Sequence, residues 1–233
     1  MKAWLLQRLP AAWRQSARAR LNAWQRDRKA PRMLRGYRDA TGQWRPWVRM
    51  SDTAVIQCAE RVILEDRCFI WHYSILDGTE GLEIGEGCHI GAWVGIFTHS
   101  SHLALRIYGR HYLDVTQDKR VGFRTAPVVV GRYVAIGASS LIMPGVTIGD
   151  GAAIMAGSIV QSNVAPFALV GGNPARVLGD MRRFDRRLLR QHPELRPWYE
   201  EWQRNDPAVR PGTPPEPTDG AWDREKPEGC WTK

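Results

Sequence analysis

A six-residue repeat of aliphatic side chains runs through residues 128–160. Every sixth position is Val or Ile: Val130, Ile136, Ile142, Ile148, Ile154 and Val160. Two positions earlier runs a second series of small or apolar residues: Val128, Val134, Ser140, Val146, Ala152 and Ser158. A helix repeats every 3.6 residues and a strand every two, so neither alone accounts for a period of six. A sustained internal repeat of this kind is typical of a solenoid.

A period of six has a simple geometric interpretation. Three six-residue sides make one triangular coil, and successive coils stack as parallel strands about 4.8 Å apart. The aliphatic residue then points into the prism, and each coil pairs the backbone groups of its neighbours. A sandwich of short strands would instead show alternation with a period of two. The repeat therefore predicts a mainly β, three-walled parallel β-helix.

The repeat also continues upstream, where two breaks interrupt it. Its upstream positions are Ile63, Phe69, Ile75, Ile84, Ile90 and Ile96. The step from Ile75 to Ile84 is nine residues, which predicts a bulge at 78–81. The step from Ile96 to Val130 is 34 residues, so a long loop must leave the prism between them. A loop of this length inside a compact repeat usually has a function.

The two ends of the chain differ from the repeat. Residues 1–50 hold 13 Lys and Arg against 2 Asp and Glu, a net charge of +11 in a chain whose total is +9. This segment either contacts an anionic membrane surface or packs on the prism or on a neighbouring subunit. The predicted regions are a basic, Trp-rich helical arm over 1–50, a β-helix domain over 51–179 with an extended loop at 97–127, a C-terminal helix over 180–204 and an irregular Pro-rich tail over 205–233.

Composition and charge exclude several other classes of protein. With 43% hydrophobic residues the chain is too apolar to be disordered throughout. No stretch approaches the roughly 18 apolar residues that a membrane span needs. Arg8 and Pro10 interrupt the first apolar residues, so the start lacks the apolar core of a secretory signal. We therefore expect a cytoplasmic protein, with peripheral contact at the inner face of the membrane as an alternative. A basic arm on a near-neutral body does not indicate nucleic acid as a partner.

Residues 75–102 and 128–179 resemble the hexapeptide-repeat acyltransferases, especially the maltose, galactoside and exopolysaccharide O-acetyltransferases. The specific motifs are PGVTIG at 144–149, AGS at 156–158 and GGNPAR at 171–176. The resemblance implies a left-handed parallel β-helix that assembles as a homotrimer. It also implies acetyl-CoA as co-substrate without a metal, and transfer of the acetyl group to a hydroxyl of a sugar or polysaccharide precursor.

Acetyl transfer from a thioester to a hydroxyl requires a base for the hydroxyl proton and donors for the oxyanion. Histidine is the natural base near neutral pH, and His99 and His102 lie where the long loop leaves the prism. In the family the base follows a Thr- or Ser-rich turn at this place, and the spacing falls close to both residues. We favour His102, because Ser101 and His102 match the family's ending better, and His99 would then line the site or orient the sugar.

Asp77 is a third candidate for the catalytic site. The family has an Asp at a matching step that contacts the acceptor hydroxyls. A carboxylate at this position could also orient the imidazole of the base. Capping of the turn before Gly78 is an equally good interpretation of the same residue.

The resemblance also implies where the acyl donor binds. Ala138 and Ala156 match turns whose backbone groups bond the pantetheine arm in the family. The family usually carries Thr-Lys-Asp where this chain has Gln161, Ser162 and Asn163, so the Lys near the CoA phosphates is missing. Arg176 could replace it with charge-assisted hydrogen bonds to phosphate. The predicted donor-site residues are Gly137, Ala138, Ser139, Ala156, Ser162, Asn163 and Arg176.

Two further functions compete with acyl transfer. A zinc-dependent hydratase on the same kind of prism would need three converging histidines, and only His99 and His102 are suitably placed in the sequence. A non-catalytic scaffold would use the basic arm to dock on a membrane or a partner protein.

Overall fold

The computed structural model describes residues 15–16, 19–24, 27 and 30–204. The chain divides into two units, Met1–Arg32 and Met33–Lys233. In the first unit the described residues between 15 and 27 are helical. The predicted tail at 205–233 lies outside the described residues, as do residues 1–14, 17–18, 25–26 and 28–29 of the basic arm. Contact of the arm with a membrane, one of its two predicted roles, stays a prediction.

The second unit contains short strands that cycle through three parallel walls. An antiparallel hairpin of β1 (Met33–Arg38) and β2 (Trp44–Ser51) begins the first wall. Wall one continues with β5 (Phe69–Ile70), β8 (His89–Ile90), β13 (Ala135–Ile136), β16 (Ala153–Ile154) and β18 (Ala168–Gly172). Wall two contains β3 (Val55–Gln57), β6 (Ile75–Asp77), β9 (Gly95–Ile96), β14 (Leu141–Ile142) and β17 (Ile159–Val160). Wall three contains β4 (Val62–Leu64), β7 (Leu82–Ile84), β12 (Val128–Val130) and β15 (Thr147–Ile148).

Successive strands visit walls one, two and three in turn, so the predicted mainly β fold and its three-walled β-helix are confirmed. In the C-terminal coils, Val130 pairs with Ile148 across a step of 18 residues, which is three sides of six. In the N-terminal coils, Ile70 pairs with Ile90 across a step of 20 residues. The two extra residues of these coils lie at the corner that follows wall two.

The interior of the prism is a column of aliphatic side chains. All twelve positions of the two series between 128 and 160 are buried, as the repeat predicts. Upstream, the inward positions predicted at Ile63, Phe69 and Ile75 are wrong by one residue, because these three side chains are only half-buried. The fully buried positions there are Leu64, Ile70 and Leu76. In a strand, a shift by one residue moves a side chain to the opposite face.

The long insertion leaves the prism after β9 and returns at β12. Its two ends pair as the antiparallel strands β10 (His99–Ser100) and β11 (Arg124–Thr125). Between them lie helix α1 (His102–Tyr108) and two 3-10 turns, Gly109–His111 and Gln117–Lys119. β12 pairs directly with β7, so the insertion does not interrupt wall three.

Both ends of the second unit differ in detail from the sequence prediction. The predicted helical arm extends to residue 50, but residues 33–51 form the β1–β2 hairpin. At the other end, β18 pairs with β19 (Ala175–Asp180), and two helices follow, α2 (Met181–Gln191) and α3 (Arg196–Gln203). A 3-10 turn at Pro193–Leu195 separates the two helices. None of the described helices is long and apolar enough to cross a bilayer.

The aliphatic column accounts for much of the stability of the prism. Ile142 is fully buried and pairs with both Val160 and Ile96 of the neighbouring coils. We expect Ile142→Ala to lower the free energy of unfolding by about 2–5 kcal/mol, because it leaves a cavity in a close-packed core. Urea denaturation measures this loss. Ile159→Ala on the outer, half-buried face of the same wall is the control, and an equal loss there would contradict the assignment of the column.

Candidate functional site

The corner after wall two brings Asp77 and His99 together. Asp77 is the last residue of β6, and His99 is the first residue of β10, one coil later. Because Leu76 pairs with Ile96, the residues that follow these two strands meet at the same corner. The distance between Asp77 Oδ2 and His99 Nδ1 is 2.7 Å, a hydrogen bond between side chains.

The carboxylate of Asp77 is fully buried and accepts hydrogen bonds on both oxygens. Oδ1 accepts from the backbone N–H of Thr79 at 2.9 Å and from the Thr79 hydroxyl. Oδ2 accepts from the backbone N–H of Thr98 at 2.8 Å and from its hydroxyl at 3.0 Å, besides His99. Turn capping and a hydrogen bond to an imidazole, which match two of the three roles considered for Asp77, are both present, while contact with the acceptor hydroxyls stays a prediction.

These contacts determine the charge of Asp77. Burial alone would raise the pKa of the Asp77 carboxyl, but the hydrogen bonds from His99, Thr79 and Thr98 outweigh burial and hold this pKa well below its usual range. Asp77 is thus ionised at neutral pH. It can stabilise a positive charge on His99 without itself gaining a proton.

The imidazole of His99 is fixed on two sides. Its ring stacks on Phe123 from the insertion, with ring centroids 5.6 Å apart and an interplanar angle of 14°. The hydrogen bond to Asp77 raises the pKa of His99, although burial partly opposes this rise. Because Nδ1 donates to Asp77 in the neutral ring, Nε2 is the nitrogen that can accept a proton. The side chain keeps 21% exposure, so the imidazole remains within reach of solvent.

His102 has a different setting from His99. It is the first residue of α1, it is exposed, and its Nδ1 lies 2.8 Å from the hydroxyl of Ser100. The geometry therefore favours His99 over His102, the reverse of the preference based on the family's Ser-His ending. Within the described ranges, no three His, Cys, Asp or Glu side chains are grouped as ligands for a metal.

The titration of His99 can be measured directly. We expect the NMR titration of its ring protons to have a midpoint above the ordinary value of 6.5, because the buried carboxylate stabilises the imidazolium. In Asp77→Asn the midpoint should fall, because the full negative charge is lost. A midpoint at or below 6.5 in the wild-type protein, or no change in the variant, would contradict the coupling.

Four of the predicted donor-site residues lie at another corner, the one after wall one. Ala138 and Ala156 stand one above the other there, because the N–H of Gly157 donates to the carbonyl of Ala138 at 2.8 Å. Gly137 supports this close stacking, since a Cβ on it would collide with the backbone nitrogen of Ala156. Ser139 follows at the same corner in a left-handed conformation, with φ of 60°. Ala156 is exposed and Ala138 is half-buried, so this stack of small residues lies at the surface.

The remaining predicted donor-site residues are more dispersed. Ser162 and Asn163 follow β17 at the corner after wall two, two coils beyond His99. The side-chain oxygen of Asn163 accepts from the N–H of Thr147 at 2.8 Å, so this residue supports the corner. Arg176 lies exposed on β19 and donates to the carbonyl of Ala175 at 3.0 Å. One chain thus divides the predicted site between two corners and the C-terminal hairpin.

Comparison with known proteins identifies the repeat and several relatives. The hexapeptide repeat of succinyl-transferase matches residues 61–96 and 127–162. A chloramphenicol acetyltransferase of Agrobacterium fabrum is 43% identical over 128 residues, which cover 54% of each chain. The galactoside O-acetyltransferase of Escherichia coli K12 is 42% identical over 60 residues, 26% of this chain and 30% of that one.

A crystal structure is also similar to this chain. The hexapeptide-repeat-containing acetyltransferase of Vibrio cholerae, complexed with acetyl coenzyme A, has a TM-score of 0.47 and 30% sequence identity, over 55% of this chain and 64% of that chain. The chain spans about half the length of the first curated relative that it matches. The resemblance inferred from the sequence is confirmed: this is a hexapeptide-repeat chain whose homologues include galactoside O-acetyltransferase and related acyltransferases.

Proposed function

We propose that the chain is an acetyl-CoA-dependent O-acetyltransferase that acts on a hydroxyl of a sugar or polysaccharide precursor. The observation that carries this proposal is the buried Asp77 hydrogen-bonded to His99 at the corner where the insertion begins. A carboxylate that orients an imidazole is a suitable arrangement for removing a proton from a hydroxyl. The names of the two relatives, a chloramphenicol acetyltransferase and a galactoside O-acetyltransferase, support acetyl transfer.

In the proposed mechanism His99 is the general base, in place of His102. Its Nε2 takes the proton of the acceptor hydroxyl as the oxygen attacks the thioester carbon. A C–O bond forms, the C–S bond breaks, and the imidazolium returns its proton to the leaving thiolate. Asp77 stabilises the imidazolium and fixes the ring, so it acts as a positioning residue. Because the pKa of His99 is raised, kcat/KM should rise with pH through a midpoint above 6.5.

We also propose that the active unit is a homotrimer of left-handed β-helices. Ala138 and His99 lie at different corners of one prism, on either side of wall two. A single ligand would contact Ala138 and His99 most easily in a cleft between two chains, where the Ala138 corner of one chain meets the His99 corner of the other. Flat-walled prisms can form such clefts by head-to-tail contacts that close into a ring.

The corner after wall one is suited to an extended acyl donor. Ala138 and Ala156 carry the smallest side chains that are not Gly, so a pantetheine arm could approach the backbone closely there. The phosphate end has a weaker counterpart, because Asn163 supports its own corner and Arg176 is the exposed cation on the hairpin. We propose Arg176 as the phosphate contact.

A thiol-release assay tests this function. Acetyl-CoA is supplied with a panel of free sugars, methyl glycosides and nucleotide sugars, and the free thiol is measured. We expect acceptor-dependent release with at least one sugar. If no acceptor stimulates release, and calorimetry detects no binding of CoA, the chain is not an acetyltransferase and a scaffold role becomes the better explanation.

A further inference from the structure

The corner after wall one carries an unusual series of residues. Four successive coils have one residue there in the left-handed conformation: Tyr73 (φ 61°), Trp93 (55°), Ser139 (60°) and Gly157 (72°). They are stacked on successive coils, since the N–H of Trp93 donates to the backbone carbonyl of His72 at 3.0 Å. The N–H of Ser139 likewise donates to the backbone carbonyl of Ala92 at 2.8 Å. Small residues suit this conformation, whereas a bulky side chain is an outlier in it. The two coils nearest Asp77 and His99 nevertheless carry the two large rings.

The two rings form a flat surface. Tyr73 and Trp93 stack with centroids 5.7 Å apart and an interplanar angle of 13°. They are 47% and 61% exposed, so one face of the pair is open to solvent. The backbone beneath is held in place, because the Tyr73 N–H donates to the Thr53 hydroxyl at 3.0 Å.

A second pair of corner aromatics shows that such rings can be covered within the chain. Tyr133 and Phe167 also have left-handed backbones, with φ of 55° and 59°, at the corner after wall three. Trp202 from α3 packs on both, with centroid distances of 4.9 and 5.7 Å. The Tyr73–Trp93 pair has no comparable cover from a C-terminal helix among the described residues. Its openness is thus a property of one corner and not of the coil geometry.

The position of the pair indicates its ligand. Tyr73 belongs to the coil that ends at Asp77, and Trp93 to the coil that ends at His99. On the same corner, the proposed donor-site residues Ala138 and Ala156 occupy the next two coils. An acyl donor bound along this corner would have its thioester near the coil of His99. The aromatic pair would then lie beyond the thioester, where the acceptor binds.

We infer that Tyr73 and Trp93 form a platform for the acceptor, on which a pyranose ring stacks through its C–H face. A pyranose has an apolar face and a rim of hydroxyls, and Tyr and Trp likewise combine an apolar ring with a polar group at the edge. This inference rests on the proposed acetyltransferase function and makes the sugar class of the acceptor specific. It assigns the pair to substrate selection, while His99 performs the chemistry.

The test replaces Trp93 by the residue that the chain itself uses one coil later, Ser, with methyl pyranosides and chloramphenicol as acceptors. We expect Trp93→Ser to raise the KM for methyl pyranosides about tenfold or more, while the KM for acetyl-CoA and the oligomeric mass from light scattering stay unchanged. Trp198→Ser, which removes a Trp that is 69% exposed on α3, is the matched control and should change neither KM.

Three results would overturn the inference. They are an unchanged pyranoside KM in Trp93→Ser, a loss confined to chloramphenicol, and dissociation of the oligomer, which would assign the pair to a subunit contact. Saturation-transfer NMR with methyl pyranosides needs no acyl donor and separates the two proposals. If methyl pyranosides bind, Trp93→Ser abolishes this binding and no acetyl transfer occurs, only the proposed function is rejected. If acetyl transfer occurs but the pyranoside does not contact the ring of Trp93, only the platform is rejected.

Discussion

Replacing His99 by Ala should lower kcat/KM for acetyl transfer by about 10²–10⁴, the range expected for loss of a general base. The reason is that Nε2 of His99 is the basic nitrogen whose orientation Asp77 fixes at 2.7 Å. The variant should fold normally, since the His99 side chain is partly exposed and lies outside the aliphatic column. Initial rates of thiol release, together with circular dichroism, measure both properties.

His102→Ala is the control for this prediction. His102 lies three residues away on the same insertion, and its Nδ1 lies 2.8 Å from the hydroxyl of Ser100. We expect the activity of this variant to stay within a few-fold of that of the wild-type protein. Loss of activity in His102→Ala with full activity in His99→Ala would restore the assignment that the sequence motif favoured.

Replacing Asp77 by Asn should cause the second large loss. Each carboxylate oxygen accepts from a backbone N–H, of Thr79 or of Thr98. Whichever oxygen becomes an amide NH₂ therefore faces a donor, and a buried N–H loses its acceptor at a cost of about 1–3 kcal/mol. If the NH₂ group faces His99, the imidazole changes tautomer and Nε2 can no longer accept a proton. We expect kcat to fall by about 10²–10⁴ with little change in the KM for acetyl-CoA.

Asp150→Asn separates this positioning effect from simple destabilisation. Asp150 also supports a corner of the prism, since Oδ1 accepts from the N–H of Arg132 at 2.9 Å and Oδ2 pairs with its guanidinium. It contacts no candidate catalytic residue. Asp150→Asn should lower the unfolding midpoint but leave kcat within a few-fold. Equal losses of kcat in the two variants would show that Asp77 acts only through stability.

The repeat could be predicted from the sequence where its phase is unambiguous. Between 128 and 160 the step stays at six residues over six successive sides, so the period fixes which side chains are buried even where two aliphatic residues are adjacent, as at Leu141 and Ile142. Upstream, neighbouring apolar residues such as Ile63 and Leu64, or Ile75 and Leu76, compete for the same position. Periodicity alone cannot choose between them, and the 20-residue coils remove the help of a constant step.

For the candidate site, the sequence could identify the candidate residues but not which of them lie together. The sequence identified Asp77, His99 and His102 as candidates, because residue type and the start of the insertion mark them. The pairing of Asp77 with His99 depends on the register between β6 and β9, across about one coil of chain. The match of Ser101 and His102 to the family's ending contains no information about that register, so it could not show that His99 is the histidine beside Asp77.

The β1–β2 hairpin was missed for a related reason. Its first strand follows directly on a segment rich in Arg and Trp, and the whole of 1–50 was interpreted by composition as one arm. Arg35 and Arg49 lie opposite each other in the hairpin, and both are exposed. Charge in this segment reflects an outer face and does not indicate a helix.

The direct pairing of β7 with β12 makes the fold of the prism independent of the insertion. Since Ile84 lies opposite Val130, the walls close as if residues 97–127 were not there. The entropy of closing a loop depends only weakly on its length, so residues 103–122, which lie between His99 and Phe123, could be exchanged for a longer, shorter or unrelated segment at little thermodynamic cost. Such a scaffold can acquire new substrates by swapping a single peripheral module, while the inherited architecture that supports catalysis stays constant.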